Sequence, residues 1–201
     1  MNEGDYFTLD TPVSGAIFKD KGSKFLGFAF PIQSEAAIKP LIDNLKKEHH
    51  AARHYCYAWQ LGVETIIYRT NDDGEPSNSA GKPIYGQIVS KNLTNILVVV
   101  VRYYGGINLG VGGLIHAYKT AAQNCLNEVC ILKKTLQMEL LLKFDYKYLN
   151  KVMHFIKEYK LTFKTQKMEL VCEIKLLISK SEVSKIEILL TEMQGVNFKI
   201  L

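Results

Sequence analysis

The chain of 201 residues lacks the marks of several common protein classes. No apolar stretch approaches the roughly 20 residues that carry a helix across a bilayer. The start, Met1-Asn2-Glu3-Gly4-Asp5, has neither the basic nor the apolar region of a secretion signal. A cytoplasmic location with no membrane contact is therefore the expectation. The four cysteines, Cys56, Cys125, Cys130 and Cys172, form no C-x-x-C pair and are expected as reduced core residues. His49 and His50 are adjacent instead of four apart and have no partner cysteines, which argues against a Cys/His metal site. No metal and no cofactor are expected. No Ser or Cys occupies a recognisable nucleophile turn, so peptidase chemistry has the least support.

Charge of one sign is not abundant either. The 25 basic and 20 acidic residues leave +5, enough to tolerate nucleic acid or a ribosome surface and too little to require one. The lysine-dense stretch 143–167 reads as a solvated helix face. With 47% hydrophobic and 22% charged residues, the balance is that of a globular protein long enough for two domains.

The patterning predicts an α+β fold. Strands are expected at 16–19 and 25–31 around the turn Asp20-Lys21-Gly22-Ser23. A helix follows from Ser34 to near His50, with Ala37, Ile38, Leu41, Ile42 and Leu45 as its apolar stripe. Strands at 56–61 and 65–69 come next, then a loop over 71–82, a short helix from Pro83 to near Asn92, and a strand at 96–101. A long helix is expected over 114–128, with Leu114, Ala117, Tyr118, Ala121, Ala122, Cys125 and Leu126 on one face. This order predicts an α/β sandwich, a mixed sheet with helices on one face. At Leu132-Lys133-Lys134-Thr135 glycine nearly disappears and a second pattern starts, placing a domain boundary between 1–134 and 135–201. Strand 136–144, helix 146–159, strands 161–169 and 170–179, helix 182–193 and strand 196–201 spell βαββαβ, the ferredoxin-like order.

Three segments carry chemistry. In the first, the apolar run 96–101 leads through Arg102-Tyr103-Tyr104 into Gly105, Gly106, Gly110, Gly112 and Gly113 and then a helical pattern. Glycine lets a backbone or a ligand come close, and a helix start offers unpaired N–H groups to an anion. A phosphate beside Arg102 is one reading; a tight strand-to-helix crossover with no ligand is the other. Walker A chemistry is excluded because no Gly-Lys-Ser/Thr closes the loop, and Ile115 stands where G-x-G-x-x-G needs its last glycine. The second segment, 71–83, crowds Asp72, Asp73 and Glu75 with Lys82 among turn formers. Its acids can hold a divalent cation, move protons, or cap backbone amides and orient basic groups, and the Asp-x-Asp calcium spacing is missing. The third segment places Arg53 and His54 before Tyr55, Tyr57 and Trp59, whose period of two puts the rings on one face, either to stack bases or to cover a half-buried sheet.

Together, Ala52-Arg53-His54, Asp72-Asp73-Gly74-Glu75-Pro76-Ser77, Ala80-Gly81-Lys82-Pro83 and Arg102-Tyr103-Tyr104-Gly105-Gly106 through Leu109-Gly110, Gly112-Gly113-Leu114 and Ala117-Tyr118 resemble the IMPACT/YigZ family. The resemblance implies an amino-terminal domain built like the second domain of a small-subunit ribosomal protein. It implies a carboxy-terminal domain similar to the fifth domain of elongation factor G. Eukaryotic relatives act in translational control by competing for an activator of a stress kinase. The chain departs from the family at Asn78 and Ser79, where Gly-Thr is usual, and at His116, where an arginine is expected. An imidazole holds positive charge less firmly than a guanidinium, which weakens a phosphate role at that position.

The leading expectation is a non-catalytic protein that binds RNA, the ribosome or a translation factor. Arg53, His54, Lys82, Arg102, Tyr103, the five loop glycines and His116 are its candidate phosphate-facing residues. The alternatives are an enzyme acting on a phosphorylated small molecule and a pure protein-interaction module. Convergence of Arg53, the 72–75 loop and the glycine loop on one groove favours a ligand site; scatter favours the interaction module.

Overall fold

The computed structural model describes residues 3–201, and it is an α+β protein that divides into two compact units. The larger unit is Tyr6–Lys134; the smaller is Thr135–Leu201 with residues 3–5.

In the larger unit, β1 (Asp5–Leu9) pairs with β7 (Ile131–Thr135) in a two-stranded ribbon. Neither strand was expected, because Asp-Tyr-Phe-Thr-Leu is short and Lys133-Lys134 breaks up the second segment. The main sheet orders β2 (Val13–Asp20), β3 (Ser23–Pro31), β6 (Ile96–Tyr103), β4 (His54–Leu61) and β5 (Ile67–Asn71). Lys21 and Gly22, both at positive φ, form the two-residue turn that closes the β2–β3 hairpin.

Every pairing in this sheet is antiparallel, which corrects the expected mixed sheet. The helical crossover between β3 and β4 does keep those two strands parallel. They are not neighbours, however, because β6 inserts between them and runs against both. Helices also lie on both faces instead of one. All six residues of the run Ile96–Val101 are 0% exposed, and alternation sends half of them to each side. Leu97, Val99 and Val101 meet α1 (Ile38–Glu48) together with Tyr55 and Trp59. The rings of segment 55–59 therefore cover a core, with Tyr57 packed at its margin. Ile96, Val98 and Val100 meet α2 (Gly81–Ser90) and α3 (Gly110–Asn127). The buried face of α3 is Leu114, Ala117, Tyr118, Ala121, Ala122, Cys125 and Leu126.

The smaller unit runs β8 (Gln137–Asp145), α4 (Leu149–Glu158), β9 (Thr162–Lys167), β10 (Val171–Ser179), α5 (Val183–Thr191) and β11 (Val196–Ile200). Its antiparallel sheet has the order β11-β8-β10-β9. Leu140, Leu142, Ile174 and Leu176 alternate inward against Val152, Phe155, Ile186 and Leu190 of the helices. Cys56, Cys125 and Cys172 are buried, and burial pushes the Cys125 thiol up to about 12. Cys130 is exposed, against the expectation of a core position, since it lies in the link between α3 and β7. No helix among the described residues is long and apolar enough to cross a membrane.

Candidate functional site

Period two carries Arg102 to the same face of β6 as Val98 and Val100, one step past the end of that core. The register sets His54 of β4 directly opposite it on one side and Phe25 of β3 on the other. Three strand ends thus deliver a cation, an imidazole and an aromatic ring to one row.

The 72–80 loop folds over this row, and its two aspartates are committed to backbone amides. Asp72 accepts from the N–H groups of Asn78 at 2.8 Å, Ala80 at 2.9 Å and Gly81 at 2.8 Å, which caps α2 from a distance. Asp73 Oδ2 accepts from the Tyr55 N–H at 2.7 Å, tying the loop to β4. Asp73 and Gly74 both take positive φ, 43° and 85°, and this bend turns Glu75 inward. Its Oε1 accepts from Arg102 Nη1 at 2.6 Å and from the Tyr118 hydroxyl at 2.7 Å, with both side chains of the ion pair 5% exposed. His54 Nδ1 donates to the Asp73 carbonyl at 2.8 Å, and its Nε2 stands 3.9 Å from Glu75 Oε1.

The remaining contacts hold Arg102 still. Its Nη2 donates to Ser23 Oγ at 3.3 Å, and Ser23 Oγ also accepts from the Gly105 N–H at 3.1 Å. The guanidinium lies 5.4 Å from the Phe25 ring centre and 5.3 Å from that of Tyr104. Its Nε is buried and has no partner. Gly105 is required by this arrangement, since a Cβ there would stand 2.0 Å from the Gly22 carbonyl carbon of the β2–β3 turn. Burial above all pushes the Cys56 thiol and the Tyr118 hydroxyl far above their ordinary values, and the nearby Glu75 adds to both. Both groups stay protonated, so neither is an activated nucleophile.

A hollow of about 590 Å³ opens above, lined by Arg53, His54, Glu75, Arg102, Tyr104 and Asn108 with the Gly74 backbone. A second hollow of about 300 Å³ shares Glu75, Arg102 and Asn108 and reaches Gly110 and Val111 at the start of α3. That helix begins at Gly110, four residues before the expected Leu114, so Gly110, Gly112 and Gly113 belong to its first turn and only Gly105 and Gly106 to the loop. Leu109 at its N-cap makes no side-chain cap and the first turn carries no acidic residue, so this helix start turns N–H groups and the positive end of its dipole toward the second hollow without a carboxylate of its own. Gly112 is helical, and a Cβ added to it would meet nothing within 4 Å. Glycine costs a helix about 1 kcal/mol relative to alanine, and no packing in the protein accounts for it at this position.

Of the candidate residues, Arg53, His54, Glu75, Arg102 and Gly110 meet at the paired hollows, and Asp72 and Asp73 build the loop behind them. Lys82 is exposed on the first turn of α2 and lines neither hollow. Tyr103 turns to the α1 face, where its hydroxyl meets His49 Nδ1 at 2.9 Å. His116 is exposed on α3, with its ring centre 5.9 Å from that of Phe18. Ser23, Tyr104, Asn108 and Tyr118 take part without having been singled out for the site. Alternation along 102–104 is the signal that points to Tyr104 over Tyr103.

Residues 21–126 match the family model described as the Impact N-terminal domain. A Bacillus subtilis protein, IMPACT family member YvyE, is 34% identical over 153 residues, covering 76% of this chain and 70% of that protein. A Haemophilus influenzae IMPACT family member is 31% identical over 185 residues, 90% of each chain. The crystal structure of a hypothetical protein matches with a TM-score of 0.72 at 24% identity, over 100% of this chain and 98% of that one, a likeness of fold.

Proposed function

The chain belongs to the IMPACT family, and from that membership and the paired hollows we propose that it is a cytoplasmic, translation-associated protein that binds RNA without catalysis. Phosphate groups of the RNA sit between Arg53 and the uncapped start of α3. The observation that carries this reading is the convergence of Arg53, the 72–75 loop and the α3 start on one place. Arg102 and Glu75 neutralise each other and form the floor, so the free positive charge comes from Arg53 and the helix end. An otherwise unexplained glycine at 112 leaves room for a close ligand. The translation setting follows from the family resemblance of the sequence blocks. We read the larger unit as the ribosomal-protein-like sandwich and the smaller as ferredoxin-like; the strand order β11-β8-β10-β9 with two helices supports the latter.

Ribosome co-sedimentation and RNA anisotropy at low and high salt test the proposal. Binding should weaken steeply with salt. Arg53→Ala should lose about tenfold or more in affinity, the worth of a charge-assisted hydrogen bond. Gly112→Asp should leave the fold intact, because a carboxylate suits the first turn of a helix, and should still repel RNA. Salt-insensitive binding, or unchanged affinity in both folded variants, overturns the reading. A hollow of about 590 Å³ also lies in the range of small-molecule sites, which favours a phosphorylated small molecule as the second reading. Free nucleotides that displace RNA at low concentration would select it.

A further inference from the structure

Tyr104 follows the last residue of β6 and continues its alternation, so it stands on the side of Arg102 while Tyr103 faces the other core. It is 45% exposed at the rim of the larger hollow. A large aromatic ring left in water loses the stabilisation of burial, and this one is nevertheless held in place from two directions. Its hydroxyl donates to Asn108 Oδ1 at 3.1 Å, and the Arg102 guanidinium lies 5.3 Å from its ring centre. Arg102 is in turn fixed by Glu75 and Ser23. The ring is therefore pre-organised before any ligand arrives, which spares a ligand the ordering cost.

Asn108 lines both hollows, so the ring borders the space that leads to the α3 start. We propose that Tyr104 is a stacking platform for one nucleobase of a single-stranded RNA, whose adjacent phosphate occupies the start of α3. The inference rests on the RNA reading above and adds to it that the site holds an unpaired, splayed base and not the backbone alone. Single-stranded binders combine a positive groove with such rings, and a stacked base tolerates any sequence because every base presents a π-face. A double helix keeps its bases stacked inside and offers Tyr104 nothing.

The test uses the full chain and a short single-stranded RNA carrying 2-aminopurine, compared with an abasic RNA of equal length. Thermal melting first confirms that Tyr104→Ala and Tyr104→Phe are folded. The wild type should quench 2-aminopurine fluorescence, and Tyr104→Ala should bind this RNA about tenfold to a hundredfold more weakly. Tyr104→Phe keeps the ring and should stay close to wild type. Abasic RNA should bind weakly and equally to wild type and Tyr104→Ala. Tyr104→Ala binding like wild type, or an equal loss on abasic RNA, overturns the inference. If Arg53→Ala weakens binding in that same experiment, the proposed function survives the failure. A wild type that binds neither RNA overturns both, and an equal preference for duplex RNA overturns the stacking platform alone.

Discussion

Replacing Arg102 by Met removes one partner of an ion pair whose two side chains are each 5% exposed and whose charged atoms are 2.6 Å apart. The Glu75 carboxylate is then left buried with the Tyr118 hydroxyl as its remaining donor within hydrogen-bond distance. Breaking a buried pair from one side costs about 3–5 kcal/mol, because the surviving charge has lost both water and its partner. Glu75→Gln keeps the acceptor for Arg102 and Tyr118 but loses charge assistance, so its cost falls below that of Arg102→Met, at about 2–3 kcal/mol. The double variant E75Q/R102M has no buried charge and should cost less than the two single changes added together, with a coupling of about 2 kcal/mol or more. Trp59 is the single tryptophan of the chain and is buried in the α1-side core of the larger unit. Its fluorescence during urea unfolding reads the stability of that unit without a signal from the other. Two single variants that each cost less than about 1 kcal/mol, with a double equal to their sum, would refute the reasoning. The Arg102 guanidinium would then be free to meet a ligand instead of forming the floor of the hollow.

Asp72→Ala removes the acceptor of three backbone N–H groups, including the first of α2, and should destabilise the larger unit by about 1–3 kcal/mol in the same Trp59 assay, with Asp72→Asn intermediate. In the smaller unit, side-chain hydrogen bonds from Lys164 and Lys143 hold the half-buried Glu139 and Glu173 carboxyls below the ordinary carboxylate range. A lowered folded-state value means that the stabilisation is complete above the ordinary range and disappears as pH falls through the lowered one. Thermal melts of a Lys143→Met/Lys164→Met variant should lose less stability on acidification than the wild type, and identical pH profiles would discount both pairs.

Spacing along the chain was enough for the features that depend on near neighbours. The buried face of α3 repeats at three and four residues, the turn at Lys21-Gly22 needs the backbone freedom of glycine, and the run 96–101 announces a strand buried on both sides. The matched blocks also made the family legible, since they are long and contain residue types that packing alone does not demand. The sheet was harder to read. A strand, a helix and a strand have the same appearance in sequence whether the two strands end as neighbours or leave a gap, and only assembly put β6 into the gap between β3 and β4. The candidate site shows the same division. Arg102, Glu75 and His54 stood out by type, yet the partners that define Arg102 lie 27 and 79 residues away. An isolated arginine beside a glycine loop looks like a phosphate ligand. The folded protein instead presses it against a carboxylate turned inward by two residues at positive φ. The choice of Tyr104 over Tyr103, and the placement of Lys82 away from the hollow, likewise depended on which side of a strand or helix faces which neighbour. Periodicity in the sequence determined which residues share a face; only the tertiary structure decided what stands opposite them, because charge, burial and hydrogen bonding are set by atoms close in space and not by atoms close along the chain.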